Sequence, residues 1–241
     1  MSITVGICTT NLESPEFQAC LESFNWLSYQ SKFPVEIIVA SQSGMWITHK
    51  KNWIASVAQG DYLCLVHDYY KVPKHWLDQQ LWGLNLHNDP DVMVSAIYTK
   101  EGRRSADWLV NPNHIIEAIK LYPELRDILM DAAPHENGPQ YVAGLPYDIS
   151  DLTNLQYISG GYIFCKRSLL LENPFNEKLV PGDSEDVEWS ERIVKSGATI
   201  RFNKGSFVEI NKPHKWAVTQ MPYEAVDILR KYNEQRKTHN F

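Results

Sequence analysis

The chain reads as an α/β protein on a mostly parallel central sheet flanked by helices, and three observations predict this. Short apolar runs at residues 3–8, 35–40, 62–66 and 92–97 alternate with stretches of helical periodicity. Such alternation implies parallel strands joined by right-handed crossovers. The first three runs also end in polar clusters: Thr9 to Asn11, Ser41 to Ser43, and His67 to Tyr70. In an open parallel sheet the ligand crevice lies beyond the carboxyl ends of the strands, so topology brings these clusters together.

The elements follow in order. After the strand at 3–8, Ser14-Pro15-Glu16 supplies a helix cap, a proline suited to the first turn and an acid for the helix N-terminus. Phe17, Cys20, Leu21 and Phe24 then recur at helical spacing. The strand at 35–40 is rich in β-branched residues. Residues 50–58 predict a helix with Ile54, Val57 and Ala58 on one face and Gly60 as its stop. The strand at 62–66 ends in His67-Asp68-Tyr69-Tyr70, and a helix is expected over 76–86. The segment 99–156 is less regular and reads as an insertion covering the crevice, with helix around 115–130. Residues 157–165 predict a strand with Gly160-Gly161 at its centre. A helix over 185–196 ends at Gly197, two short strands follow at 198–203 and 206–210, and the tail from Tyr223 is helical, then charged and frayed. The 241 residues are therefore expected to form a single domain. Residues 1–98 are its ligand-binding half, 157–222 its catalytic half and 223–241 a C-terminal helical tail.

Composition narrows the function. The formal net charge is -6, with 29 acidic against 23 basic residues, so the basic face of a nucleic-acid-binding protein is not expected. The four cysteines form no CxxC pair or disulfide ladder and suit a reducing compartment. The N-terminus lacks a basic signal-peptide region, and no apolar run approaches the length of a membrane span. The expectation is a cytoplasmic chain without an integral membrane segment, with peripheral membrane association left open.

Three groups carry chemistry. His67-Asp68 at a strand end suits a divalent cation that bridges phosphates, and equally suits a hydrogen-bonded pair without metal. Gly160-Gly161 suggests close approach of a ligand or of another backbone. Glu185-Asp186 at a helix start suits a general base ionised by the helix dipole, and equally a helix cap. His214, within Asn211-Lys212-Pro213-His214-Lys215-Trp216, is a loop residue that gains a role if it reaches the same metal as Asp68.

In their order and spacing these features resemble glycosyltransferase family 2 and its relatives on the GT-A fold. The resemblance covers residues 3–98 and 157–216. Its marks are Val5-Gly6-Ile7-Cys8-Thr9-Thr10-Asn11, then Glu36-Ile37-Ile38-Val39, then Lys51-Asn52 running to Gly60-Asp61-Tyr62. His67-Asp68-Tyr69 stands at the DXD motif, followed by Pro73 and Trp76-Leu77; later come Gly160-Gly161, Lys166-Arg167, Glu185-Asp186 and Gly197. Two positions depart from the pattern. Ala40-Ser41-Gln42 replaces the acid that ends the second strand, which moves nucleoside recognition to Thr9, Asn11, Gln42 and Lys51; and Tyr69 replaces the last acid of DXD.

The resemblance implies an inverting glycosyltransferase that moves a sugar from a nucleoside-diphosphate sugar, with UDP favoured, to a hydroxyl of a glycan, lipid-linked or protein acceptor. The implied donor site comprises Thr9, Thr10, Asn11, Gln42, Lys51, His67, Asp68, Gly160 and Gly161. Mn²⁺ or Mg²⁺ would be held by Asp68 and His214, Asp186 would be the base, Glu185 would assist, and Trp108, Trp189 and Trp216 would offer stacking platforms near the acceptor. Two other classes remain beside it. A nucleotidyltransferase would carry a glycine-rich basic loop where this chain has Cys8-Thr9-Thr10-Asn11, and a sugar-binding module would explain Tyr69. A dehydrogenase is not expected, because no GxGxxG follows the first strand.

Overall fold

Local chemistry sets the first elements of the computed structural model, which describes residues 1–132, 143–180, 182–212 and 218–239. Strand β1 (Ile3–Cys8) is buried along its whole length. Helix α1 (Pro15–Gln30) is capped by Ser14, whose hydroxyl accepts from the Phe17 N–H at 3.1 Å, and buries Phe17, Cys20, Phe24 and Leu27. After β2 (Val35–Ala40), helix α2 (Ile47–Val57) starts three residues earlier than the periodicity predicts. Gly60 does not stop α2, which ends at Val57 with Ala58 as its C-cap. Gly60 is needed for close approach instead: a β-carbon there would lie 2.5 Å from the Thr4 backbone nitrogen.

The chain continues through β3 (Tyr62–His67), a two-residue β4 (Tyr70–Lys71), α3 (Trp76–Leu86) and β5 (Val92–Thr99). Next come β6 (Leu109–Val110), α4 (Pro112–Leu121), α5 (Glu124–Ala132), β7 (Ala143–Gly144) and a 3-10 turn at Thr153–Leu155. The predicted helix around 115–130 is thus two helices, because Pro123 lies between them and a proline interrupts the helical hydrogen-bond ladder. Then follow β8 (Gln156–Tyr157), β9 (Tyr162–Lys166), α6 (Arg167–Glu172), α7 (Glu185–Lys195), β10 (Ile200–Ile210), β11 (Thr219–Gln220) and α8 (Tyr223–His239).

Three further expectations are corrected. The strand predicted at 157–165 is two strands in different sheets, with Gly160-Gly161 in the turn between them. The strands predicted at 198–203 and 206–210 are one strand, β10, with a bulge between Asn203 and Phe207. The tail is an ordered helix rather than a frayed end: α8 buries Ala225, Val226, Leu229 and Tyr232 against α4 and α5.

Among the described residues the main sheet has seven strands in the order β2-β1-β3-β9-β5-β10-β4. Strands β1, β2, β3, β5 and β10 share a direction, while β9 and β4 run against it. Alternate residues of each strand feed two apolar cores. Cys64 and Val66 join α1 and Trp76 on one face, and Leu63 and Leu65 join Ile54 of α2 on the other. A smaller sheet, β11-β7-β6-β8, joins β6 and β7 from within the segment 99–156 to β8 at its end and to β11 near the C-terminal helix.

Candidate functional site

Parallel registry builds the site. Cys8 pairs with Ala40 on one side and with His67 on the other, so β1, β2 and β3 end at one level. Their following loops line a cleft of about 520 Å³. Its walls include Thr9, Thr10, Gln42, Trp46, Lys50, His67, Asp68 and Tyr69. The three polar clusters named from sequence thus converge where the strand order places them.

Hydrogen bonds hold the floor of the cleft. The Thr9 hydroxyl donates to Asp68 Oδ2 at 2.6 Å, and the buried Lys50 ammonium donates to the Thr9 carbonyl at 2.6 Å. The Asp68 N–H donates to the Cys8 carbonyl at 3.2 Å. Asn11 does not line the cleft. Its side-chain oxygen accepts from the Glu13 N–H, and its carbonyl accepts from Thr9 and Ser14, so it builds the turn into α1.

His67 and Asp68 are not bonded to each other. His67 Nδ1 faces the Tyr69 hydroxyl at 3.0 Å, while Nε2 is shut from solvent without a partner among the described residues. Burial, reinforced by the charges of Lys51 and Lys212, pushes the His67 pKa down to about 3, so the ring is neutral at physiological pH. Burial, with the Asp68 and Glu185 charges, pushes the Tyr69 hydroxyl up to about 12, so it keeps its proton.

A second cluster forms at the Gly160-Gly161 turn, which the His67 N–H joins by donating to the Gly161 carbonyl at 2.9 Å. Asp186 Oδ2 accepts from the Gly160 N–H at 2.8 Å, and Oδ1 accepts from the Val187 N–H at 2.9 Å. Lys51, 1% exposed, pairs with Glu185 at 3.2 Å and lies 4.5 Å from the centroid of the Phe175 ring. Both glycines are close approaches: a β-carbon on Gly160 would lie 3.0 Å from Lys51 Nζ, and one on Gly161 would lie 2.6 Å from the Tyr70 hydroxyl.

The pKa of Asp186 shifts the opposite way from that expected of a dipole-stabilised carboxylate. Burial raises its pKa above the ordinary value, and the Glu185 charge adds to this, against the Gly160 and Val187 N–H groups and Lys51. Desolvation outweighs the helix N-terminus. The result is a stronger base than a free aspartate, held by two backbone donors.

Trp108 and Trp189 are core residues, not stacking platforms. Trp108 is 1% exposed, packs on Phe202 and donates its indole N–H to the Ile149 carbonyl. Trp189 is 0% exposed, stacks on Phe175 and donates to the Asn173 carbonyl. Each indole N–H has found a backbone acceptor, which lets the ring be buried whole. His214 and Trp216 lie outside the described residues. The sequence reading missed Trp46, which is 48% exposed and lines the cleft, and Lys50. The signal for Lys50 was its place beside Lys51: successive helical residues face about 100° apart. Lys50 therefore turns to Thr9 and Lys51 to Glu185.

The described residues do not by themselves fit a divalent cation. Asp68 is the cleft's one carboxylate, with an oxygen already taken by Thr9, and no group of three His, Cys, Asp or Glu side chains assembles among the described residues.

No family model matches the chain, and no curated protein matches it. Among solved structures it is similar to S. aureus TarS 1-349 in complex with UDP-GlcNAc. The TM-score is 0.54 at 13% identity, covering 98% of this chain and 66% of that one. It is likewise similar to a TarS chain of S. aureus with a TM-score of 0.51 at 14% identity, covering 95% of this chain and 39% of that one. For TarS 1-349 in complex with UDP the TM-score is 0.50 at 12% identity, covering 96% of this chain and 65% of that one. The chain thus spans just under two thirds of the TarS 1-349 structures that it matches. At this identity the likeness establishes the fold: a curled, mostly parallel sheet flanked by helices, similar to GT-A glycosyltransferase structures.

Proposed function

We propose that the chain is a glycosyltransferase that uses a nucleoside-diphosphate sugar, with UDP as the favoured nucleotide. The observation that carries this reading is the joining of two sites by the His67–Gly161 hydrogen bond. One is a cleft beyond β1, β2 and β3; the other is a buried carboxylate, Asp186, with a raised pKa. The first is the place for a nucleotide in such a sheet, and the second has the chemistry of a general base. The fold shared with TarS, whose structures hold UDP and UDP-GlcNAc, supports the same assignment.

In this reading Trp46 stacks on the nucleoside, and Gln42 with Ser41 and Ser43 meets its polar edge from the β2 loop. The sugar lies towards the Gly160 turn, whose backbone N–H holds Asp186 in place. Asp186 takes the proton of the acceptor hydroxyl. The hydroxyl oxygen bonds to the anomeric carbon as the bond to the diphosphate breaks, and the diphosphate leaves with the electron pair. A single displacement of this kind inverts the anomeric configuration. Glu185, paired with Lys51, lies beside Asp186, and its carboxylate raises the Asp186 pKa, which favours proton uptake by the base.

Calorimetric titration with UDP, GDP, CDP and dTDP tests the reading, each against a nucleoside control. Saturable binding of one nucleotide, weakened by Trp46→Ala, is the expected result. No binding to any of the four excludes a nucleotide-sugar transferase and favours a sugar-binding module without nucleotide chemistry.

A further inference from the structure

The charges around the cleft are arranged for a diphosphate held by ammonium groups. Cys8, His67 and Asp68 are its wall residues with metal-ligand chemistry, and each is compromised. The Cys8 side chain is buried in the core, His67 Nε2 is closed off, and Asp68 Oδ2 accepts from Thr9. Tyr69 occupies the position from which a second carboxylate would point.

What the structure puts there instead is a cation. Lys212 Nζ sits 3.4 Å from the centroid of the Tyr69 ring, and Tyr69 is a wall of the cleft. The backbone fixes this meeting. Ile210 of β10 pairs with Tyr70 of β4, and the Asn211 N–H donates to the Tyr69 carbonyl at 2.7 Å, so Lys212 is delivered to the ring by sheet pairing. An aromatic face attracts an ammonium without neutralising it, whereas a carboxylate at position 69 would pair with Lys212 and cancel its charge. The described lysine–carboxylate pairs engage Lys51, Lys71 and Lys166, not Lys50 or Lys212. Lys50 thus lines the cleft and Lys212 rests on its Tyr69 wall, against the single Asp68 carboxylate of the lining.

We propose that Lys212, seated on Tyr69, binds the donor diphosphate directly and supplies the positive charge that a divalent cation would otherwise bring to the leaving group. Lys50, which lines the cleft, assists. The assignment rests on the nucleotide-sugar reading above and goes beyond it by naming the cation. Its chemistry is electrostatic: a preformed ammonium stabilises the charge that grows on the diphosphate as the anomeric bond breaks.

Calorimetry on the full chain tests this with UDP and uridine, each in EDTA and in Mn²⁺, for the native protein, Lys212→Met and Lys212→Arg. Thermal midpoints confirm that the variants fold. The native chain is expected to bind UDP in EDTA, with Mn²⁺ changing the affinity by less than about threefold. Lys212→Met should weaken UDP by at least about tenfold, as for loss of a hydrogen bond to a charged group, while uridine binding is unchanged. Lys212→Arg should retain most of the UDP affinity. Native-like UDP binding by Lys212→Met overturns the proposal, and so does native binding that appears only with Mn²⁺. If neither UDP nor uridine binds, and GDP, CDP and dTDP fail as well, it is the nucleotide-sugar reading that falls.

Discussion

Replacing Lys51 by Met removes a charge while keeping most of the side-chain volume, and it perturbs the Glu185-Asp186 cluster at a fully buried point. The ammonium is 1% exposed, 3.2 Å from Glu185 and 4.5 Å from the centroid of Phe175. Without it the Glu185 carboxylate, 17% exposed, loses its cation beside Asp186. Breaking a fully buried ion pair by deleting one partner costs about 3–5 kcal/mol. Partial access of water to Glu185 reduces this to about 2–3 kcal/mol, within the range for leaving a charged group unpaired. In a chain of this size that lowers the thermal midpoint by about 4–12 °C. Urea denaturation of Lys51→Met, Glu185→Gln and the double variant measures the coupling. The double variant should recover about 1–2 kcal/mol of the loss, because neutral Gln no longer needs the cation. A Lys51→Met protein within about 0.5 kcal/mol of native, or one that Glu185→Gln fails to rescue, refutes a supporting role for the pair.

Three further outcomes are expected. Asp186→Asn should abolish transfer while leaving nucleotide binding nearly native. Because the base works ionised and burial raises its pKa, native activity should fall as pH drops through a value above the ordinary 3.8; a rate flat down to the usual aspartate range speaks against Asp186 as the base. Gly161→Ala should destabilise by about 1–3 kcal/mol through overpacking, since the new carbon would lie 2.6 Å from the hydroxyl of Tyr70, itself 3% exposed. Tyr70→Phe should restore part of that stability, and failure to do so would place the strain elsewhere. Trp46→Ala should weaken nucleotide binding by about 1–3 kcal/mol, the range for a stacked base, with little change in urea midpoint because the ring is 48% exposed; unchanged affinity would remove Trp46 from the nucleoside site.

Much of the fold was legible because its signals are local. The apolar run of β1 and the Ser14-Pro15 cap of α1 needed no tertiary context. The strand ends were legible too, since parallel topology sends every loop after β1, β2 and β3 to the same edge. Glycine misled in one respect. Gly60 looked like a helix stop but is a place where the Thr4 backbone comes close, which depends on distant neighbours, whereas the close approach expected at Gly160-Gly161 is found, in a turn rather than at a strand centre. The tryptophans misled for a related reason: composition does not tell whether an indole N–H has a buried acceptor, and for Trp108 and Trp189 it has one.

The sequence by itself determined the alternation of strands and helices over residues 3–97, the convergence of Thr9, Gln42 and Asp68 on one cleft, and the presence of a carboxylate at the start of α7. Tertiary structure alone decided that Lys51 is spent on Glu185, that burial makes Asp186 a stronger base, and that Lys212 stands on Tyr69. Periodicity and capping act over a few residues, whereas charge pairing and desolvation are set by whichever groups the sheet brings face to face.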